Sequence, residues 1–228
     1  KIIKKKNFYY VYGSGLNSFK TKKKITKIFV GNSGTTARLL CGILSTYSNK
    51  FYLYGDKSMN KRDMMRVMEP LKKIGCFFYP PKKKTLPLIM EGTSMPLAQK
   101  HVEKKGSAQI KSLILFSALS TPGTTVVHER KISRDHTEIF LKEIKADIKI
   151  KRIKNGNLIY LKGQKNLNAF NYEVGSDPSS ASFLIALTLL TPGSELVLEN
   201  IVCNPKRIGF FKILKNKMNA NIKIKKLK

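Results

Sequence analysis

Cysteine is scarce in this 228-residue chain: Cys41, Cys76 and Cys203 are odd in number and far apart. That spacing excludes a cysteine metal motif and argues against a disulfide framework, which points to a reducing compartment, the cytoplasm. Long apolar runs are missing as well. Stretches such as "LILFSAL" and "FLIALTLL" fall far short of the roughly 20 residues that a membrane span requires. No secretory leader is visible, although a sequence opening on Lys1 could have lost one. No long Gly/Ser-rich stretch marks a flexible linker. Acidic residues number 14 against 44 basic ones, and only seven of those 44 are arginine. Where arginine is this rare each one is informative, because its planar fork meets phosphate and carboxylate in a way that lysine cannot reproduce.

What is present is a globular chain. Hydrophobic residues make up 42% of it, and the length allows one large domain or two small ones with a true core. The formal net charge of +30 suits nucleic acid, an acidic membrane surface or anionic substrates. It also suits a plain solvated lysine surface. The lysines are spread along the chain and accompanied by abundant Ile and Asn, as an AT-rich coding sequence would give, so the lysine surface is the leading reading.

A pattern recurs three times: "GNSGTTARLLCGILSTYSNKFYLYG", "GSAQIKSLILFSALSTPGTTVVHE" and "DPSSASFLIALTLLTPGSELVLEN". Each is a small polar loop opening an apolar helix, then a turn, then a β-rich run. The first two are offset by about 75 residues, and the stops "STPG" and "LTPG" lie 70 residues apart. A second, mixed helix follows each unit: "RDMMRVMEPLKKIGCFF", "RDHTEIFLKEIKADIKI" and "RIGFFKILKNKMNANIKI". Each has an arginine at or before its start and closes on a strand after a Gly, Ala or Asn-Ala turn. Three such units predict a compact α/β body with helices inside and sheets outside. The helices of the first set are apolar all round, as buried helices are. "FYPPKKKTLPLIMEG" reads as an ordered turn leading into a strand, and the expected domain crossing is near "VGSDPSS".

The small loops have a chemical reading. A helix N-terminus presents unpaired N–H groups and partial positive charge, and small residues let an anion approach them. "GNSGTT" (31–36) and "GSAQ" (106–109) both fit, Ser107 adding a hydroxyl and Gln109 an amide. Ser, Thr and Asn in such places are more often plain caps. Arg62 and Arg134 precede helices, either as surface residues pairing with Asp63 or Asp135 or as clamps. With two receptive helix mouths they suggest two neighbouring anionic groups. His101, His128 and His136 show no metal spacing, and a lone His in "SRDHTE" reads as structural.

Taken together, "GNSGTTARLL", "KR" followed by "EPLKKIG", "GSAQIKSLILFSAL", "SRDHTE" and "GSDPSSASF" resemble the bacterial 5-enolpyruvylshikimate-3-phosphate synthase family, in the same order and over essentially the whole chain. The sister UDP-N-acetylglucosamine enolpyruvyl transferases share the fold but are not expected to carry "GSAQIKS" with "SRDHTE". The resemblance implies an α/β enolpyruvyl-transferase-like fold, two lobes each of three units of parallel helices and a four-stranded sheet. The chain would be a central piece: residues 1–174 most of a substrate-binding lobe, incomplete at its start, and 175–228 the crossing and first unit of the second lobe. The implied reaction transfers the enolpyruvyl group of phosphoenolpyruvate to the 5-hydroxyl of shikimate 3-phosphate, without metal or organic cofactor. Asn32, Gly34, Arg62 and Gln109 would meet phosphoenolpyruvate. Ser107, Ala108, Gln109 and Arg134 would meet shikimate 3-phosphate, Ala108 through its N–H alone where the family often has a second Ser. Arg38 and Asp177 would lie near the cleft and hinge and are not assigned as ligands. Ser176 stands where the family usually has Gly.

The family's N-terminal Lys-Ser…Arg segment, its acid/base residues and later phosphoenolpyruvate arginines have no match here. No catalytic residue is therefore assigned, and the piece alone is expected to be inactive. The full-length enzyme is expected to be a cytoplasmic monomer of the shikimate pathway, binding neither nucleic acid nor membrane. The competing classes are a basic nucleic-acid module on this fold type, which would need a localised basic face with interleaved aromatics, and a non-catalytic paralogue. Gly34 leaves room for glyphosate, which occupies the phosphoenolpyruvate site in the family. An intact parent enzyme should be inhibited by it in a steady-state assay; indifference to glyphosate on the order of millimolar would displace Gly34 from that site.

Overall fold

The computed structural model describes residues 1–225. It divides into two compact units, Lys1–Ala169 and Phe170–Lys228. The first opens with an antiparallel hairpin, β1 (Ile2–Lys5) and β2 (Phe8–Val11), whose side chains are largely exposed. Next comes β3 (Ile25–Phe29), α1 (Gly34–Leu44), β4 (Lys50–Tyr54), α2 (Met65–Ile74), β5 (Phe77–Tyr79) and β6 (Leu88–Glu91). The order then repeats as β7 (Lys100–Glu103), α3 (Ala108–Ser120), β8 (Thr124–Glu129), α4 (His136–Glu143), β9 (Asp147–Ile153) and β10 (Gly156–Lys162).

The two sheets have the same topology, β3-β4-β6-β5 and β7-β8-β10-β9. In each, the first pair is parallel and the other two pairings are antiparallel. The repeat read from the sequence is therefore a βαβαββ unit, with a leading strand and a closing hairpin added to the helix–strand pattern. A parallel pair needs a crossover, and α1 and α3 supply it, so each helix begins where β3 or β7 ends. "FYPPKKKTLPLIMEG" is the β5–β6 hairpin, as the paired prolines suggest.

One core serves both repeats. Phe51, Leu53, Leu88 and Met90 of one sheet and Val127, Ile159 and Leu161 of the other close over α1, α2 and α3. On α2, Val67, Met68, Leu71 and Ile74 line one buried stripe at helical spacing. On α3 the apolar residues run all round, and Leu113, Ile114 and Leu115 are fully buried. Gly75 ends α2 at φ 116°, as expected; after α4 the left-handed residue is Lys145, at φ 60°, rather than Ala146.

The second unit holds α5 (Pro178–Leu190) and α6 (Gly209–Lys217). Asp177 caps α5, accepting from the Ser179 and Ser180 N–H groups, and Arg207 pairs with the same carboxylate. The Ser179 bond leads in holding that carboxyl below the usual carboxylate range. Two expectations fail here. The β-rich run "SELVLEN" forms no strand, nor does "NANIKI"; among the described residues of this unit only a Ser176–Ile201 bridge marks sheet pairing. Strands exist through partners, and the described residues of this unit contain no counterpart of the β5–β6 hairpin. Nor is α5 buried: Phe183, Leu187 and Leu190 are 79%, 63% and 82% exposed, because only a small cluster around Ala181, Ile208 and Phe211 covers it. No helix among the described residues is long and apolar enough to cross a membrane.

The α1–α3 contact is intimate. A Cβ on Gly42 would lie 2.3 Å from the Leu113 carbonyl oxygen. Gly42→Ala should therefore cost about 1–3 kcal/mol despite the better helix propensity of Ala, while Gly13→Ala, in open space, should cost little. Paired chemical-denaturation curves check this; equal midpoints would mean that the helices can part freely.

Candidate functional site

The parallel crossovers set two helix mouths side by side. At the first, Gly31 turns the chain at φ 56°, Ser33 caps α1 by accepting from the Thr36 N–H, and Val30 and Asp56 fasten the loop to β4 and the Gly31 carbonyl. At the second, Gly106 turns at φ 70°, and Ser107 caps α3 by accepting from the Ile110 N–H. Both loops are thus caps in fact, and both leave first-turn N–H groups facing outward at positive helix ends.

Gln109 joins the mouths. Its Nε2 donates to Thr35 Oγ1 at 2.7 Å and its Oε1 accepts from Arg38 Nη1. Arg62 reaches the same place from the turn before α2, its Nη2 donating to Asn32 Oδ1 at 2.9 Å. The guanidiniums of Arg62 and Arg38 stand 3.0 and 3.8 Å from where a Cβ on Gly34 would be. The bonds they make go to amide oxygens, which leave their charges in place. Asp63, the expected acid partner of Arg62, instead caps the start of α2 by accepting from the Met65 N–H at 2.8 Å. Partial burial, then Arg66 and Arg62, pull Arg38 below its ordinary pKa, with Asp63 opposing. Crowding of like charge at a half-open helix mouth is the electrostatic mark of a place for an anion.

The second mouth is walled by the loop between β8 and α4. The Lys131 carbonyl and side chain pack on Gly106, and the Arg134 carbonyl accepts from Lys111 Nζ at 2.9 Å. Ser112 and Thr137 hydroxyls meet at 2.6 Å. Ser107, Ala108 and Arg134 are half-buried. Asn32, Gly34, Arg62 and Gln109 therefore converge, and Ser107, Ala108 and the Arg134 main chain adjoin the same corner of α3.

Sequence reasoning left Arg38 unassigned and missed Arg66, Thr35 and Lys111. Arg38 had a signal, a lone arginine in an apolar helix. Lys111 had none, one lysine among many. Cys41 and Cys76 are buried thiols that burial pushes up to about 12, which makes them poor nucleophiles.

A family model described as EPSP synthase (3-phosphoshikimate 1-carboxyvinyltransferase) matches residues 1–228. The chain belongs to the EPSP synthase family. It is 39% identical over 216 residues to the 3-phosphoshikimate 1-carboxyvinyltransferase of Oenococcus oeni, covering 95% of this chain and 48% of that protein. It is 41% identical over 220 residues to the Helicobacter pylori (strain ATCC 700392 / 26695) protein of the same name, covering 93% and 50%. The solved EPSP synthase of Acinetobacter baumannii superposes with a TM-score of 0.74 at 36% identity, covering 88% of this chain and 44% of that one. The chain thus spans about half the length of these EPSP synthases.

Gly34 offers a contrast with Gly42. Its would-be Cβ meets the tip of a flexible, exposed arginine rather than backbone. Gly34→Ala should shift the unfolding free energy by less than about 0.5 kcal/mol while displacing the Arg62 guanidinium. A denaturation curve with Arg side-chain NMR checks both; a loss as large as that of Gly42→Ala would mean that the guanidiniums are locked.

Proposed function

We propose that these residues are the substrate-gripping part of an enzyme that transfers the enolpyruvyl group of phosphoenolpyruvate to the 5-hydroxyl of shikimate 3-phosphate. The observation that carries it is the pairing of two capped helix mouths through one glutamine, with Arg38, Arg62 and Arg66 gathered at one and the Arg134 loop at the other. Asn32, Gly34, Arg62 and Gln109 take phosphoenolpyruvate. Ser107, Ala108, Gln109 and Arg134 take shikimate 3-phosphate, and Gln109 touches both.

The reaction is addition followed by elimination. The 5-hydroxyl gives up its proton as its oxygen bonds to C2 of phosphoenolpyruvate, and a proton is added at C3. The tetrahedral intermediate then loses the C3 proton and inorganic phosphate, and the enol ether remains. Both substrates are anions, so the task of this half is to hold them in reach against their mutual repulsion. Helix-end N–H groups and arginine forks do that in fixed geometry, and their fields do not need to reorganise as charge moves. The proton-transfer groups are not assigned to these residues, and the reading calls for neither metal nor organic cofactor. It places the enzyme in the cytoplasm as a monomer, with the lobe boundary at 174/175, the phosphoenolpyruvate pocket open to glyphosate, and the diffuse lysines as solvated surface rather than a nucleic-acid face.

A thermal-shift titration tests it, with shikimate 3-phosphate against ionic-strength-matched phosphate and a short DNA duplex. Stabilisation by shikimate 3-phosphate beyond the phosphate control, lost in Arg134→Ala, is expected. At 100 times Kd it should be worth about 2.7 kcal/mol. Stabilisation by DNA alone, fading steeply with salt, would overturn the reading in favour of a nucleic-acid module.

A further inference from the structure

Lys111 lies in the first turn of the most enclosed helix and is entirely shielded from water. A buried ammonium is costly unless each of its three protons has an acceptor. Here each does: Nζ lies 2.9 Å from Glu129 Oε1, 2.6 Å from Glu138 Oε1 and 2.9 Å from the Arg134 carbonyl. The acceptors come from the end of β8, the first turn of α4 and the loop between them. Glu129 Oε1 extends the hold, accepting from the Ser133 N–H at 2.8 Å and from the Ser133 hydroxyl. Segment 129–138 is thus fastened at Glu129, Arg134 and Glu138 to one nitrogen of α3, one turn below the Ser107 cap, with Ser133 held through Glu129.

The core does not require this. Well-packed apolar residues of similar volume often serve as well as a buried ion pair. What they cannot do is grip the main-chain carbonyl of Arg134. The cluster also keeps two buried carboxylates for one ammonium, with Glu129 Oε2 and Glu138 Oε2 lacking hydrogen-bond partners. Burial pushes the Glu138 carboxyl above its usual range, with Lys111 opposing. So much charge is spent on a short loop whose other face borders the Ser107 mouth.

We propose that the Lys111–Glu129–Glu138 cluster positions loop 131–135, fixing the main chain at Arg134 so that its guanidinium approaches the second helix mouth from one direction. These are positioning residues; none is placed against a ligand. The inference rests on the reading of Ser107 and Arg134 as phosphate ligands, and one arm of its test does not.

That arm is amide hydrogen exchange on the whole chain without ligand. Lys111→Met/Glu138→Gln removes one charge of each sign and leaves Glu129 held by Ser133. Amides of 131–137 should exchange about tenfold faster, while those of α1 and the centre of α3 stay protected. Glu129→Gln, milder and isosteric, should give about a threefold rise in the same segment, since charge-assisted bonds are roughly twice as strong as neutral ones. It carries the test if the double variant does not fold. Unchanged exchange at 131–137 in a folded variant overturns the proposal.

The second arm is calorimetry with shikimate 3-phosphate. Lys111→Met/Glu138→Gln should lose as much affinity as Arg134→Ala, and the combined variant should lose no more than either. Additive losses would show that the cluster acts on something other than Arg134, which also overturns it. If the unaltered chain binds no shikimate 3-phosphate, the phosphate reading fails, and the exchange arm still decides whether the cluster places the loop.

Discussion

The first unit depends on the missing side chain at Gly42. With nothing there, the backbone of α1 lies against the Leu113 carbonyl of α3, closer than any other residue would permit. Each helix is the crossover of a parallel strand pair, so each starts at the same end of its own repeat. Drawing the helices together therefore draws their first turns together, and Gln109 can reach Thr35 and Arg38. Two helix mouths, each of a kind common in proteins, become one shared corner. The packing contact and the chemistry are separated by one to two turns of helix, which is why a change at Gly42 would be felt at both.

Much of this was legible in the sequence because repeats announce themselves by spacing. The small-loop-then-apolar-helix signature recurs at fixed offset, and the helix–strand–helix–strand part of each unit follows from that repetition together with the punctuation of Pro122, Gly75 and Gly123; the leading strands and the full sheet topology do not. The loops 31–36 and 106–109 were readable as helix mouths because such signals are local, whereas the roles of Asn32, Gly34, Arg62 and Gln109 came from the resemblance. Where prediction failed, the cause was non-local. "SELVLEN" has strand composition but no described neighbour to pair with, and α5 has the composition of a buried helix without the cover that α3 receives from α1, α2, β8 and β10. Lys111 was illegible for the same reason: nothing in a lysine-rich sequence says which lysine is enclosed. Its partners Glu129 and Glu138 are two of few acids, and their scarcity was the one clue available. The motifs "GSAQIKS" and "SRDHTE" turn out to be physically joined, the lysine of one to the glutamate of the other.

The charge of the chain therefore divides into three populations with different jobs. Most lysines are diffuse and solvated. The arginines are few, and three of them, Arg38, Arg62 and Arg66, lie close together, Arg66 also pairing with Glu103. Among the described residues one lysine, Lys111, is internal and holds the Arg134 carbonyl. Net charge alone, read as a single number, leaves nucleic acid, membrane, anionic substrate and plain solvated surface all open; its distribution along the chain separates these populations.

The exposed face of α5 has a colloidal consequence. In dilute buffer the large positive charge keeps copies of this chain apart over a distance set by the Debye length, about 30 Å at 0.01 M salt. At physiological ionic strength that reach shrinks to about 8 Å, shorter than the helix is wide. Phe183, Leu187 and Leu190 are then free to find apolar company, and salt strengthens that attraction as it weakens the repulsion. The chain is held in solution by a long-range force against a short-range one, and the ionic strength of the medium decides which of them a neighbouring molecule meets first.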